Sequence, residues 1–78
     1  MSRVTVYSRV GCHLCEEAER IVRAVAVPPH VIDVVDIDTD TELIDAYTVR
    51  VPVVAVDGVE IAQFVLDEHT LRRALPGS

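Results

Sequence analysis

Two cysteines, Cys12 and Cys15, stand where the pattern of apolar residues changes from strand-like to helical. Before them, residues 4–7 alternate between apolar and polar side chains, as a β-strand does. After them, apolar residues recur at helical spacing, at Leu14, Ala18, Ile21, Val22 and Val25. The pattern therefore predicts that the pair lies at a strand-to-helix turn, with Cys12 at the N-terminus of the helix.

This position indicates thiol chemistry for the pair. A helix N-terminus carries unpaired backbone N–H groups and the positive end of the helix dipole, and both stabilise a thiolate. Cys12 is therefore the candidate nucleophile, and Cys15 is close enough to resolve a mixed disulfide. A bond between the two would close a very short loop and would stabilise the fold little. The pair thus favours thiol–disulfide exchange over a structural cross-link.

The length, net charge and apolar pattern of the chain exclude several classes of protein. A chain of 78 residues predicts one domain over residues 1–78, and an apolar fraction of one half excludes a disordered chain. The net charge of −6 argues against a nucleic-acid partner. We identify no secretory signal and no apolar run of membrane-spanning length, so we expect a cytoplasmic protein with no membrane partner.

The acidity is concentrated between residues 33 and 45. One interpretation is a solvated surface of a strand end and a helix, which is the more frequent reason for such a run. The other is an acidic docking surface for a reductase or a client protein. The sequence does not separate these two interpretations.

The first half of the chain predicts two helices and two strands. The first helix is expected over 12–26, ended by the consecutive prolines at 28 and 29, and a strand is expected over 30–37. The mixed pattern of that strand indicates that both its faces are covered. Thr39 and Glu42 match a capping box, which predicts a short helix that buries Leu43 and Tyr47. Two i,i+4 ion pairs are expected on the first helix, Glu16–Arg20 and Glu19–Arg23.

The second half predicts a hairpin and a last helix. Residues 51–56 form a strand entered through a proline, and the Asp57-Gly58 dipeptide before a second β-rich run is a strong hairpin signal. Asp67 is the expected N-cap of the last helix, with Leu66 positioned to pack on Leu71. Residues 76 and 77, a Pro-Gly pair, are expected to stop this helix. The predicted order is β-α-β-α-β-β-α.

That order, with C-x-x-C opening the first helix and Val51-Pro52 before the third strand, resembles the glutaredoxin branch of the thioredoxin fold. The similarity covers nearly the whole chain and is greatest to short bacterial glutaredoxin-like proteins. It implies an α/β fold, a thioredoxin-like three-layer sandwich of the glutaredoxin type with a four-stranded mixed sheet. It also implies a dithiol thiol–disulfide oxidoreductase with a redox-active disulfide.

The resemblance assigns roles to five residues. Cys12 matches the nucleophile and Cys15 the resolving thiol of the family. Arg9 stands where the family carries a basic residue near the thiolate. Pro52 matches the cis-proline beside the active site, and Val51 matches the residue whose backbone pairs with a bound thiol peptide.

The chain departs from the family pattern at three places. His13-Leu14 replaces the usual Pro-Tyr between the cysteines, and Arg50 replaces a common threonine two places before the proline. Residues 62–65 replace a Gly-Gly turn that approaches glutathione. Glutathione and a dedicated reductase therefore both stay open as electron donors. His13 is either a group that tunes the Cys12 thiolate or an exposed turn residue.

Two rival interpretations come from other classes. The pair could belong to a metal-binding module for copper or an iron–sulfur cluster, since soft metals prefer thiolate ligands. The chain could also be a redox-inactive module that binds peptides on the same scaffold, because fold alone does not establish activity. Against these we expect no metal site within the chain and no tightly bound cofactor. The expected partners of a monomer are a disulfide-containing client and an electron donor.

Overall fold

The computed structural model describes residues 2–47 and 49–75, which form a four-stranded sheet with helices on both faces. The strands are β1 (Arg3–Ser8), β2 (Val31–Asp36), β3 (Val53–Val56) and β4 (Val59–Gln63). The helices are α1 (His13–Val25), α2 (Thr41–Tyr47) and α3 (Glu68–Ala74), with a short 3-10 turn at Ile37–Thr39. The order of strands and α-helices predicted from the sequence is confirmed.

The sheet has the strand order β2-β1-β3-β4. β1 runs parallel to β2 and antiparallel to β3, and β3 and β4 form the hairpin. A parallel pair needs a crossover connection, and α1 supplies it. The predicted α/β, thioredoxin-like fold with a mixed sheet is therefore confirmed.

The main core lies between the sheet and the pair α1 and α3. Alternate residues of β1 and β3 point to this face, and each fully buried Val or Leu contributes about 1.5–3 kcal/mol. On the opposite face the ring of Tyr7 stacks on Tyr47 of α2, with their centroids 4.4 Å apart. The buried core residues are Val4, Val6, Ala18, Val22, Val25, Ala26, Val54, Val56, Leu66, Leu71 and Leu75.

The turn chemistry of the second half is confirmed. Asp57 and Gly58 both have positive φ, +51° and +86°, as a tight two-residue hairpin requires. Asp67 caps α3, because its Oδ1 accepts the N–H of Thr70 at 2.8 Å. Leu66 and Leu71 are both buried in the core. The predicted stop at residues 76 and 77 lies outside the described residues.

β2 corrects the expectation of a strand covered on both faces. It lies at the edge of the sheet, and within the described chain it pairs with β1. Val31 and Val34 point to opposite faces and are 46% and 40% exposed. The mixed pattern of the strand therefore reflects partial cover on each side, because an edge strand lies beyond the centre of the packed helices.

The start of α2 differs from the predicted capping box. Asp40 caps the helix, since its Oδ1 accepts the N–H of Glu42 at 2.8 Å. The Thr39 hydroxyl donates instead to the carbonyl of Asp36 at 2.7 Å. Thr39 is the last residue of the 3-10 turn, and its hydroxyl bonds back into that turn, so the next residue, Asp40, caps α2 instead. Leu43 and Tyr47 are half-buried rather than buried, because a seven-residue helix does not cover this face.

The polar side of α1 also differs in part from the prediction. Arg20 pairs with Glu17 at 2.8 Å, so the predicted Glu16–Arg20 pair is wrong. Side chains three and four residues apart on a helix lie at similar distances, and Arg20 pairs with the glutamate three residues before it. Arg23 lies 3.8 Å from Glu19, as predicted. None of the helices in the described residues is long and apolar enough to cross a membrane.

Candidate functional site

Cys12 is the N-cap of α1, with an extended backbone (φ −90°, ψ 110°). Its Sγ accepts a hydrogen bond from the backbone N–H of Cys15 at 3.2 Å, and its carbonyl accepts the N–H of Glu16 at 3.1 Å. Gly11 precedes it with φ +82°, a left-handed conformation that turns the chain from β1 into the helix. The half-buried sulfur therefore receives the backbone donor that stabilises a thiolate.

Cys15 lies one turn further on and is buried, with 1% of its surface exposed. Burial and the hydrogen bond to the Cys12 side chain raise the pKa of Cys15 to about 12, against a smaller lowering by a hydrogen bond to the Arg9 backbone. Both effects oppose ionisation near neutral pH. The two sulfurs therefore differ: one is reachable and capped by a backbone donor, and the other is a buried, protonated thiol.

Arg9 lies at the end of β1 and forms a two-pronged ion pair with Asp38. Its Nε lies 3.1 Å from both carboxylate oxygens, and its Nη2 lies 2.8 Å from Oδ1. This pair raises the pKa of Arg9 and lowers that of Asp38. The charge of Cys12 adds a smaller rise to the Arg9 pKa, so the guanidinium and that sulfur are electrostatic neighbours. Asp38 was missed from the sequence, where it is one carboxylate in an acidic run.

His13 occupies the first position of α1 and extends into solvent. Its side chain is 83% exposed, and its Nδ1 lies 3.9 Å from a carboxylate oxygen of Glu16. A thiolate-tuning role for this imidazole stays a prediction. Leu14, the other residue between the cysteines, is 45% exposed.

The Val51-Pro52 bond is cis, as the resemblance implied. Tyr7 pairs with Val53, so the chain leaving β1 toward Cys12 and the chain entering β3 through Pro52 meet at one end of the sheet. The Pro52 carbonyl accepts the N–H of Phe64 at 2.8 Å. Among residues 2–47 and 49–75, neither backbone polar group of Val51 has a hydrogen-bond partner. Within that part of the chain, the site therefore has a free backbone donor and acceptor beside the proline.

A cavity of about 400 Å³ lies beside the turn that precedes Cys12. The residues that line it include Arg9 and Gly11 from the turn, Glu16 and Glu19 from α1, and Asp36 from β2. Its wall therefore carries several charged groups, and its volume is large enough for solvent.

The described residues contain no group of three or more His, Cys, Asp or Glu side chains arranged to hold a metal ion. Cys12 and Cys15 are two soft ligands on one chain. A closed structural zinc site uses four ligands, so a metal held by this pair would need further ligands from outside it.

Comparison with known proteins decides the family. Residues 3–76 match the family described as Glutaredoxin-like domain (DUF836). This chain belongs to that glutaredoxin-like family. Among curated proteins, none matches the sequence.

Solved structures agree with this assignment. The chain is similar to target protein XcR50 from X. campestris, with 37% identity over 90% of this chain and 91% of that one and a TM-score of 0.75. It is similar to Ne2328 from Nitrosomonas europaea, with 30% identity over 95% and 91% and a TM-score of 0.71. It also resembles a mutant thioredoxin from Halobacterium salinarum, with 26% identity over 92% and 69% and a TM-score of 0.67.

Two departures of this glutaredoxin-like chain lie together at the β3–β4 side of the site. Arg50 lies 5.3 Å from the Tyr47 ring, donates from Nε to Gln63 at 3.2 Å and pairs with Glu60. Phe64 adopts φ +67° and is 42% exposed, in the segment that replaces the expected Gly-Gly turn. The Arg50 side chain ties the segment before Pro52 to β4, and Phe64 places a partly exposed aromatic ring in the segment where the resemblance implied a Gly-Gly turn.

Proposed function

We propose that this protein is a thiol–disulfide oxidoreductase that reduces protein or small-molecule disulfides through Cys12 and Cys15. The observation that carries the proposal is the difference between the two sulfurs. Cys12 is half-buried and accepts a backbone N–H, and Cys15 is a buried thiol one turn away with a pKa of about 12. Such an arrangement supplies one reachable nucleophile and one protected resolving thiol.

The reaction proceeds in two exchanges. The Cys12 thiolate attacks one sulfur of a substrate disulfide, forms a mixed disulfide and releases the other substrate sulfur as a thiolate. Cys15 then attacks the Cys12 sulfur and gives up its thiol proton, so that a Cys12–Cys15 disulfide forms and the second substrate sulfur leaves, taking up a proton to become a thiol. The substrate gains two electrons and the cysteine pair loses them. A second dithiol or two thiols of an electron donor return the pair to its reduced form.

The substrate is held beside the proline in this proposal. Within residues 2–47 and 49–75 the N–H and C=O of Val51 have no partner, so they can offer an extended peptide two backbone hydrogen bonds, as an exposed strand edge does. Arg9 contributes positive charge near the attacking sulfur, and Asp38 holds the guanidinium in place. His13 stays a candidate for tuning the Cys12 thiolate, because it is adjacent in sequence.

The partners follow from the same chemistry. The client is a protein or small molecule with an accessible disulfide, and the working form is a monomer in a reducing cytoplasm. The electron donor is glutathione or a reductase. We expect the Phe64 ring, 42% exposed in the segment that replaces the Gly-Gly turn, to hinder close backbone approach by a tripeptide, and this favours the reductase. No nucleic-acid partner is proposed.

A redox titration of the metal-free protein in glutathione buffers tests the proposal, with free thiols counted by mass. We expect a reversible two-electron transition between roughly −120 and −270 mV, the range of known dithiol proteins. Cys15→Ser is expected to accumulate a mixed disulfide on Cys12, and Cys12→Ser to form none. Absence of a disulfide at every potential would exclude the oxidoreductase and favour the metal-binding or peptide-binding alternatives.

A further inference from the structure

Val51 lies in the short segment that joins α2 to β3, and this segment is partly exposed. Within residues 2–47 and 49–75 its backbone N–H and C=O have no hydrogen-bond partner, and the nearby Val49 is 78% exposed. A peptide that binds a mobile segment loses affinity, because ordering the segment costs conformational entropy. The contribution of Val51 to client binding therefore depends on the contacts that hold this segment in one conformation.

Arg50, the residue before Val51, supplies such contacts. Its backbone N–H donates to the carbonyl of Tyr47 at 2.8 Å. Its Nε donates to the side-chain oxygen of Gln63 at 3.2 Å, and its Nη2 pairs with Glu60. The centre of its guanidinium lies 5.3 Å from the centre of the Tyr47 ring. One side chain therefore joins the segment to the end of α2 and to β4.

These contacts continue into the strand that leads to the nucleophile. The ring of Tyr47 stacks on Tyr7 of β1, with their centroids 4.4 Å apart. Tyr7 pairs in the sheet with Val53, the first residue of β3, and the chain runs from Tyr7 into the turn before Cys12. Arg50 therefore fixes the segment relative to the end of the sheet that carries the reactive sulfur.

We propose that Arg50 is a positioning residue that holds the Val51 backbone in the conformation that binds a peptide client. The inference rests on the proposed oxidoreductase function and narrows its substrates to disulfides in extended polypeptide chains. Arg50 acts through Val51 and not on the reacting sulfurs. A small disulfide has no extended backbone that Val51 could pair with, so the effect of Arg50 is confined to peptide clients.

The charge of Arg50 is already matched within the protein. Its guanidinium is paired with the Glu60 carboxylate and with the Gln63 amide, which favours an anchoring role over direct binding of an anionic client. The planar guanidinium can form both contacts while it lies over the Tyr47 ring, and a lysine ammonium has no such plane. The identity of the side chain therefore fits the role of an anchor.

Stopped-flow reaction with two disulfides that share a leaving group tests the proposal. The first is a short uncharged peptide with one cysteine, joined through a disulfide to nitrothiobenzoate. Attack of Cys12 on the peptide sulfur forms the Cys12–peptide disulfide and releases the coloured nitrothiobenzoate thiolate. The second is dithiobis(nitrobenzoate), which contains no peptide.

For Arg50→Ala we expect the half-saturating concentration of the peptide probe to rise about tenfold, because Val51 is no longer held in place. The limiting rate and the reaction with dithiobis(nitrobenzoate) should change less than about twofold, since the sulfurs are unaffected. Both side chains of the Arg50–Glu60 pair are partly exposed, so the melting temperature should fall by no more than about 8 °C. Thermal unfolding of each variant checks this.

Arg20→Ala is the matched control, because it removes an exposed arginine that pairs with a glutamate, Glu17, at 2.8 Å on α1. Both reactions of this variant should keep the wild-type values. Arg50→Lys keeps the positive charge beside Glu60 and should recover part of the lost affinity for the peptide probe.

Glu60→Gln separates anchoring from direct binding. If Arg50 positions Val51, this variant loosens the anchor and raises the half-saturating concentration of the peptide probe. If Arg50 instead bound the anionic part of the probe, its release from Glu60 would lower that concentration and overturn the proposal. An unchanged concentration in Arg50→Ala, or an equal loss with dithiobis(nitrobenzoate), would also overturn it. Failure of the wild-type protein to release nitrothiobenzoate from either disulfide would instead overturn the proposed function.

Discussion

Cys12 and Cys15 have identical side chains, and their surroundings give them different chemistry. A backbone N–H of α1 reaches the Cys12 sulfur, while the Cys15 side chain is buried, with 1% of its surface exposed. In the proposed reaction, stabilisation of one sulfur and protonation of the other divide the two exchange steps between them. The position of each cysteine relative to the helix start would then determine its part in that reaction.

The raised pKa of Cys15 predicts a loss of stability in alkaline solution. The pKa rises from an ordinary value of 9.0 to about 12 in the folded protein. Between these values the unfolded chain has lost the proton and the folded protein has kept it, so stability falls as pH rises. From pH 8 to pH 10 the reduced protein should lose about 1 kcal/mol through this residue.

Urea unfolding under reducing conditions measures this loss, with Cys15→Ala as the reference at both pH values. Tyr47, whose pKa burial also raises, is present in both proteins, so its contribution cancels in the comparison. Wild-type protein should lose about 1 kcal/mol more than the variant. Equal losses in the two proteins would show that Cys15 does not keep its proton in the folded state.

At the level of the elements, the stability of α3 depends on its N-cap, Asp67. The helix spans Glu68–Ala74 and carries Leu71, which is fully buried, into the core. Asp67 satisfies the N–H of Thr70 with one carboxylate oxygen and the Thr70 hydroxyl with the other. A seven-residue helix has few internal hydrogen bonds, so its ends carry much of its stability.

Asp67→Ala should therefore lower the melting temperature by about 4–8 °C, the effect of a lost N-cap in a domain of this size. Asp45→Ala is the control, because Asp45 is exposed on the surface of α2. Thermal unfolding followed by far-UV circular dichroism measures both variants. A melting temperature equal to that of the control would mean that the cap contributes nothing to the fold.

At the level of the whole molecule, the small size of the core limits stability. A 78-residue protein is expected to have a free energy of unfolding of about 4–12 kcal/mol. Its described core is made of Val, Ala and Leu, and it lies between one face of the sheet and two helices. Each large core side chain therefore provides a substantial part of the total.

Leu71→Ala tests this dependence. Leu71 is 0% exposed and joins α3 to the core, so its truncation should cost about 2–5 kcal/mol. Leu14→Ala removes the same atoms from a side chain that is 45% exposed, and it should cost less than about 1 kcal/mol. Urea titrations give both values. Similar losses of unfolding free energy in the two variants would contradict the placement of Leu71, and not Leu14, in the core.

Local patterns predicted most of the architecture. The Asp57-Gly58 turn, the Asp67 cap and the helix start at Cys12 depend on neighbours within four residues, so the sequence alone shows them. Two predictions were wrong, and for different reasons. The helix cap was assigned to Thr39, whereas the adjacent Asp40 forms it. The prediction that both faces of β2 are covered failed because the position of β2 at the sheet edge depends on a strand order that the local pattern does not contain.

The sequence by itself determined the order of elements, the C-x-x-C pair at a helix start and the proline before β3, because periodicity, capping and turn chemistry act over short distances. Only the tertiary structure decided that Cys15 is buried, that Arg9 pairs with Asp38 and that Tyr7 stacks on Tyr47. These contacts join residues far apart in the chain, and burial depends on every element packed around a side chain.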